Sequence, residues 1–252
     1  MDDDIAKMLQ LMEISFRDFE AAMPSKPKLV RKPFGEVYRF EEQDIYQAII
    51  QKLAHAQSTV RAAQVLLEHG YVQEQAALQR VVDESNEDIL FLVYAVTNDR
   101  ITDLHQKFLA AFWEEEFDDS GDPLTSEQKR PMVSRRKIRA YIANVEGAPM
   151  DPSRGIELAR TIHKAYSGFV HGASHHIMDR YSGNPPKFYI KGMLGTPRIE
   201  EHQRDLWNYM YRTFISHILV AKALGATRHV EIMTKYLRRF EANADKDYSP
   251  SA

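Results

Sequence analysis

The stretch Arg160–Pro186, RTIHKAYSGFVHGASHHIMDRYSGNPP, has the periodicity of a central helix in an all-α protein. At about 100° per residue, its apolar and polar residues separate onto opposite faces. The apolar face contains Ala159, Ile162, Tyr166, Phe169, Val170, Ala173 and Ile177, and the opposite face contains Gly168, His171, Gly172, His175 and Asp179. The sequence therefore predicts one helix over residues 153–180, with other elements packed on both of its faces.

Two glycines lie on the polar face of this predicted helix. A glycine in a helix interior costs about 1 kcal/mol relative to alanine, and Gly168 and Gly172 are four residues apart, on the same side. We expect a backbone segment, a side chain or a ligand to approach the helix closely there. The face that carries His171 and His175 should therefore be buried against another element.

Most of the remaining sequence also has helical periodicity. Helices are predicted over residues 3–23, 41–69, 71–97, 99–117, 134–145, 199–224 and 226–244. Gly70 and Gly225 each follow one of these segments and should end it, because glycine is the favoured residue just after a helix. Together with residues 153–180, these segments predict an all-α, single-domain bundle of about seven to eight helices.

Two segments interrupt this helical pattern. Pro24, Pro27 and Pro33 predict an extended arm over residues 24–40, and the polar segment 118–131 is predicted to be a loop. The predicted organisation is one domain over residues 1–252, with an N-terminal helix at 1–23, the arm at 24–40, a helical core at 41–245 and a tail at 246–252.

An irregular insert is predicted near 181–198. It contains three glycines together with Phe188, Tyr189, Ile190, Met193 and Leu194, and the stretch KFYIKGMLGTPR at 187–198 suggests a small hairpin or a lid. Apolar residues at this density are disfavoured on a freely mobile loop. We expect the insert to pack over the His171/His175 end of the bundle or across a dimer interface. A simple connector packed on the nearest helices is the alternative.

Composition excludes several classes of protein. The net charge of −3 gives no overall attraction to nucleic acid or to anionic membranes. The chain has no cysteine, which excludes disulfides, thiolate metal sites and a cysteine nucleophile. The N-terminal MDDDIAK is acidic where a signal peptide is basic, and no apolar run reaches the length of a membrane span. These features predict a cytoplasmic protein with no membrane partner. Phosphate-loop, Rossmann, HExxH and GxSxG motifs are absent from the sequence.

A divalent metal site is one functional hypothesis. His171, His175 and Asp179 are spaced by four residues, so on a helix their side chains would lie close together. Imidazole and carboxylate groups suit Zn²⁺, Fe²⁺ or Mn²⁺. Glu84 and Asp88 have the same spacing on the preceding long helix and could complete the ligand set. The alternative is a polar helix contact in which these histidines hydrogen-bond to carboxylates.

A resemblance supplies the second hypothesis. The run Tyr166-Ser167-Gly168-Phe169-Val170-His171-Gly172, after a helix of the form Leu66-Leu67…Leu78…Arg80…Glu84…Asp88-Ile89-Leu90, resembles uncharacterised all-α bacterial families related to the HEPN superfamily. The resemblance covers about residues 45–225. It implies RNA cleavage or nucleotide binding, carried by an arginine followed after four to six residues by a histidine.

Two pairs in the sequence fit that spacing, Arg212 with His217 and Arg100 with His105. With His171, the first pair gives the candidate catalytic residues. Thr213 follows Arg212 where the family favours Asn, Asp or His. His217 also shares an inward stripe with residues 214 and 218, so a core histidine that hydrogen-bonds within the protein is the alternative interpretation.

The functional expectation has two parts. The first is a ligand- or partner-binding, regulatory helical bundle that uses the polar His/Asp face and forms a homo-oligomer, with a homodimer the simplest case. The second is an enzyme, either a HEPN-like protein that acts on RNA or nucleotides, or a metal-dependent enzyme that uses His171, His175 and Asp179. The identity of the small molecule or protein partner is not encoded in any motif.

Overall fold

The computed structural model describes residues 2–32, 35–115, 124–125, 132–145 and 152–243. In these ranges the chain forms nine helices and two short antiparallel ribbons, which confirms the all-α prediction. The helices are α1 (Asp2–Ala22), α2 (Ile45–Glu68), α3 (Val72–Thr97), α4 (Asp103–Trp113), α5 (Arg135–Ala143), α6 (Pro152–Val170), α7 (Ser174–Met178), α8 (Arg198–Ala223) and α9 (Thr227–Asn243). The strands are β1 (Lys28–Lys32), β2 (Gly35–Arg39), β3 (Tyr181–Ser182) and β4 (Lys187–Phe188). Most of the predicted loop at 118–131 and the predicted tail lie outside the described residues.

Helices α2 and α3 form the centre of the bundle, and α8 packs along both. Asp44 caps the start of α2 in a reciprocal pair of hydrogen bonds with Gln47. Gly70, with φ +79°, makes the sharp turn that returns the chain as α3, as the sequence predicted. Gly225, with φ +68°, makes the equivalent turn between α8 and α9.

The apolar core forms two clusters along this stack. One joins the C-terminal part of α1 and the N-terminal half of α2 to α4, α5 and the ends of α3 and α8. The other joins the N-terminal part of α1 and the C-terminal half of α2 to α8 and α9. Leu53, Leu92 and Phe214 are fully buried in them. Within the described ranges, no helix has both the length and the apolar character needed to cross a membrane.

A polar seam joins α3 to α8 between these apolar clusters. Three polar residues of α3 are buried and contact α8: Gln75, Asp83 and Asn86. Gln75 contacts His202, and Asp83 contacts Arg212. Asn86 contacts both Thr213 and Ser216. Buried polar groups are costly unless they are hydrogen-bonded. The seam therefore fixes the register of α8 against α3, and it determines which α8 side chains lie near α6.

The proline-containing arm forms a hairpin. The sequence predicted extended backbone over residues 24–40, and β1 and β2 are extended, but they also pair with each other, Lys28 opposite Arg39 and Lys32 opposite Gly35. Proline has no backbone N–H to donate and is disfavoured in strands, so a segment with three prolines is not predicted to form paired strands. Ion pairs from Arg39 and Lys32 to Glu115 hold the hairpin against the end of α4.

The predicted single helix over residues 153–180 is wrong beyond Val170. Helix α6 ends there, and Gly172 has φ +61°, a left-handed conformation that favours glycine. The backbone N–H groups of His171 and Ala173 donate to the carbonyls of Ser167 and Gly168, which is the usual hydrogen bonding of a glycine-terminated helix. The second glycine of the pair ends a helix, and α7 begins in a new direction after it.

Candidate functional site

The helix break separates His171 from His175 and Asp179. His171 is exposed, and its Nε2 lies 3.5 Å from Nη1 of Arg80 on α3, which also donates to Ser167 at 3.1 Å. His175 is exposed as well. The prediction that this face would be buried against another element is wrong for both histidines. Because α6 ends at Val170, His171 and His175 do not lie on one face of a single helix.

Gly168 behaves as predicted. A Cβ at this position would overlap with the His176 ring, which packs against the helix backbone. The His176 ring also contacts the Phe169 ring, with centroids 3.9 Å apart. The close approach predicted for Gly168 is therefore that of the His176 side chain, and the ring covers the end of α6.

The proposed metal ligands are not assembled in the part of the chain that the structure describes, where no group of three or more His, Asp or Glu side chains is placed to hold an ion. Asp179 instead accepts a hydrogen bond from Arg198 at 2.6 Å. The break at residue 172 moves His171 away from the other two residues, so the four-residue spacing no longer describes their geometry.

Glu84 and Asp88 are matched by cations of the protein itself. Asp88 is 1% exposed and accepts from Arg135 at 2.5 Å and from Lys52 at 2.8 Å. Glu84 is bonded to Arg80 at 3.2 Å. Through these ion pairs, Asp88 links α3 to α2 and α5, and Glu84 links α3 to α5 and pairs with Arg80 within α3.

The Arg212/His217 pair is divided between two environments. Arg212 forms an ion pair with Asp83 and covers the Tyr209 ring at 4.5 Å. His217 is fully buried, and its Nδ1 lies 3.0 Å from the Ser15 hydroxyl of α1. Burial lowers the pKa of His217 to about 3, so the ring is neutral. The interpretation as a core histidine is confirmed.

The histidine of the second pair, Arg100 with His105, is also buried in the core. His105 is fully buried, stacks on Phe91 with centroids 4.1 Å apart, and hydrogen-bonds to Thr102 at the start of α4. Burial lowers the pKa of His105 from its ordinary value. Neither histidine of the two arginine–histidine pairs reaches a surface where RNA or a nucleotide could contact it.

The structure instead forms an open cleft of about 620 Å³ between α6, α7 and the first turns of α8. We call it the α6–α8 cleft. Its lining combines aromatic rings, histidines and charged groups: Thr161, Lys164, Tyr166, Gly168, Phe169, His175, His176, Asp179, Arg198, Glu201, His202 and Asp205. Its volume lies in the range typical of small-molecule sites. The cleft therefore contains His175 and Asp179 of the predicted site, but not His171, Glu84, Asp88, Arg212 or His217.

Two tyrosines lead from the interior to this cleft. The Tyr209 ring, 2% exposed, packs edge-on against the Tyr166 ring with centroids 5.5 Å apart, and Tyr166 lines the cleft together with Asp205. Burial raises the pKa of all three groups, because each charged form would be poorly solvated. In Asp205, the neighbouring His202 and Tyr166 side chains oppose that rise. The Tyr209 ring is thus fixed in the core, and Asp205 presents a carboxylate to the cleft.

The pKa values of two cleft histidines, His202 and His176, are lowered, which favours the neutral form of these two rings. His202 is 6% exposed, and its Nδ1 lies 3.2 Å from Oε1 of Gln75 in the polar seam. Burial lowers the pKa of His202. Burial, and then the neighbouring His175 ring, lower the pKa of His176. Neutral imidazoles can accept or donate a proton, and they do not add positive charge to the cleft.

The insert after α7 packs elsewhere. The Met193 N–H donates to the Gly70 carbonyl at 2.8 Å, and the Met193 side chain is 2% exposed. A Cβ on Gly192 would overlap with the His69 carbonyl. The insert therefore docks on the turn between α2 and α3, and the lining of the cleft includes none of its residues before Arg198. The prediction of a lid over His171 and His175 is wrong, and the insert packs on the nearest helices, as in the connector alternative; packing across a dimer interface stays a prediction. The insert does contain a hairpin, β3–β4, but it spans residues 181–188 and not the stretch 187–198.

His202 and Asp205 were not predicted as site residues. His202 precedes Leu206 by four residues and so continues the inward stripe of α8, which is the signal that could have placed it in the interior. Asp205 lies one turn away on the same helix. That these residues meet Tyr166 depends on how α8 packs against α6, which periodicity does not encode.

Comparison with known proteins gives no further guide, since no family model, no curated protein and no solved structure matches the chain.

Proposed function

We propose that this protein is a ligand-binding helical bundle whose α6–α8 cleft takes a small molecule. The observation that carries the proposal is the convergence of a buried histidine, His202, and a half-buried carboxylate, Asp205, on one cleft of about 620 Å³. Titratable groups with perturbed pKa values that meet in a cleft are typical of functional sites.

The side chains of the cleft are positioned from outside it. Gln75 contacts His202 from the polar seam, and the buried Tyr209 ring packs edge-on against the Tyr166 ring. Arg198 holds Asp179 at 2.6 Å and Glu201 at 2.8 Å. Recognition groups supported in this way are ordered before a ligand arrives, which reduces the entropy cost of binding.

The proposal is for binding, and it requires no particular reaction. A cytoplasmic location and a homo-oligomeric state stay predictions from sequence. Asp88 and His217 are buried and cannot contact a ligand from solvent. We therefore locate the ligand-binding role at the cleft.

The test is a fragment screen by protein-observed NMR against two tryptophan variants. Thr161→Trp places a large ring in the cleft, and Asn208→Trp places the same ring on the exposed side of α8, outside the lining. We expect a subset of fragments to shift the amide signals of residues around the cleft in the wild-type protein and in the Asn208 variant. The Thr161 variant should lose those shifts.

Two results would contradict the proposal. One is a screen in which no fragment shifts cleft residues. The other is a set of fragments that bind the Thr161 and Asn208 variants equally well, because the occupied site would then lie elsewhere.

A further inference from the structure

We infer that the ligand of the α6–α8 cleft is a small organic cation, an ammonium compound whose charge is matched by Asp205 and whose apolar groups lie against the rings of Phe169 and Tyr166. The inference rests on the proposed function and specifies its ligand class. It follows from the charge balance of the lining, the position of the aromatic rings and the size of the cleft.

The charge balance leaves one carboxylate unmatched. Three carboxylates line the cleft, and Arg198 pairs with two of them, Asp179 and Glu201. Asp205 forms no ion pair with any residue that the structure describes, and the cleft lining beside it includes the neutral Tyr166 side chain. Lys164 is exposed where it lines the cleft. A half-buried carboxylate without a cation is unfavourable, and a cationic ligand at this position would remove that penalty.

Aromatic rings line the same cleft as this carboxylate. The Phe169 ring lies 6.1 Å from the Tyr166 ring and 6.0 Å from the His202 ring, in an edge-on arrangement with the latter. The His176 ring packs on Phe169 at 3.9 Å. The faces of aromatic rings attract ammonium groups, and the attraction is larger where water is excluded. Aromatic rings beside a carboxylate favour an organic cation over an anion or a neutral polar compound.

The neutral histidines are consistent with this ligand. Burial lowers the pKa values of His176 and His202, so neither ring repels a cation at neutral pH. The cleft volume of about 620 Å³ suits a compound larger than a hydrated ion.

The experiment compares cations with uncharged compounds of the same shape. Choline is compared with 3,3-dimethyl-1-butanol, and phenethylammonium with 2-phenylethanol, by NMR titration of the full-length protein. We expect at least one cation to shift cleft amides in a saturable way at millimolar concentration, about tenfold more tightly than its uncharged partner.

Three substitutions test where the cation binds. Asp205→Asn removes the charge and keeps the shape of the side chain, and it should weaken binding of that cation about tenfold while leaving the alcohol unchanged. Glu200→Gln removes an exposed carboxylate of the same helix that does not line the cleft, and it should have no effect. Phe169→Leu should weaken the cation more than the alcohol.

The outcomes separate the two proposals. Cleft binding of acetate or of uncharged fragments, with no preference for the ammonium compounds, would overturn the cation inference and leave the ligand-binding role intact. Cation binding that Asp205→Asn and Glu200→Gln weaken equally would show a general charge effect and would also overturn it. Failure of every probe and every fragment would overturn both proposals.

Discussion

The carboxylates of α3 and the carboxylate of the cleft have opposite surroundings. On α3, Asp88 is bonded to Arg135 and Lys52, and Glu87 is bonded to Arg139 at 2.7 Å. In the cleft, Asp205 is half-buried and forms no ion pair with a described residue. The comparison teaches that acidic residues on a helix face are not equivalent: the fold neutralises the first set with its own cations, and it supplies no such cation to Asp205 from the described residues.

The largest expected effect comes from breaking the paired set. Arg139 is 7% exposed, and Arg139→Ala would leave the Glu87 carboxylate buried without its closest cation. Removal of one partner from a buried ion pair destabilises a protein by about 3 kcal/mol. Urea unfolding should show that loss. Arg136→Ala, which removes an exposed arginine from the same helix, should change the free energy of unfolding by no more than about 0.5 kcal/mol. Equal losses in both variants would contradict the assignment of a structural role to the pair.

The next effect concerns His217, a buried group with neither a charged partner nor access to the cleft. Its pKa is about 3 in the folded protein, and about 6.5 when unfolded. Below pH 6.5 the unfolded chain therefore binds a proton that the folded chain does not, and stability should fall by up to about 1.4 kcal/mol per pH unit. Urea unfolding between pH 7 and pH 5 measures this slope. His217→Gln, which retains hydrogen-bonding capacity toward Ser15, should have a shallower slope, and parallel slopes would refute the effect.

A third prediction tests the break at Gly172 between α6 and α7, two of the helices that line the cleft. Gly172→Ala should destabilise the protein by about 1 kcal/mol, because alanine is disfavoured at φ +61°. The space is not the obstacle, since a Cβ there would meet only the end of Ile177 at 3.6 Å. Gly172→Asn should recover part of the loss, because asparagine tolerates this conformation better. If thermal unfolding showed the Gly172→Ala variant to be as stable as the wild type, residue 172 would not require the left-handed conformation. That result would contradict the break between α6 and α7.

The smallest effect on stability is expected at Asp205. The pKa of Asp205 is raised by burial, so ionisation is less favourable in the folded state, and stability falls as pH rises from about 3.9 through the raised value. Asp205→Asn should therefore be as stable as the wild type at pH 7, or slightly more stable, within about 0.5 kcal/mol. Asp88→Asn should lose stability at the same pH, since its cations would be left unpaired. A loss at Asp205 as large as that at Asp88 would remove the distinction between the two regions.

The periodicity of the sequence predicted most helices and their ends. Gly70 and Gly225 were correctly predicted to end α2 and α8, since glycine is favoured just after a helix. Gly172 also ends a helix, but a regular apolar stripe continues past it in the sequence, and that stripe favours one unbroken helix. Helical spacing is a reliable guide only within one helix, so every inference that joined His171 to His175 depended on a continuity that the backbone does not have.

The site residues were predicted less well, for a different reason. His175 and Asp179 do line the cleft, but His202 and Asp205 come from α8, more than 20 residues further along the chain. The burial of His217 was the alternative that its place on the inward stripe had suggested. An amphipathic stripe identifies the inward face of a helix, and it does not identify which helix that face meets.

The sequence by itself determined the helical class, the turns at glycine, the close approach at Gly168 and the extended character of the arm, because each depends on local backbone preference or on the spacing of apolar residues. Only the tertiary structure decided which charges are matched. The spacing of Glu84 and Asp88 in the sequence is compatible with metal ligands. In the structure, Arg80 of the same helix pairs with Glu84, and Arg135 of α5 and Lys52 of α2 pair with Asp88. Asp205 resembles any surface acid, yet the packing of α8 on α6 partly buries it beside Tyr166. The energy of a charge depends on its solvation and its neighbours, and neighbours distant in sequence are set by the fold.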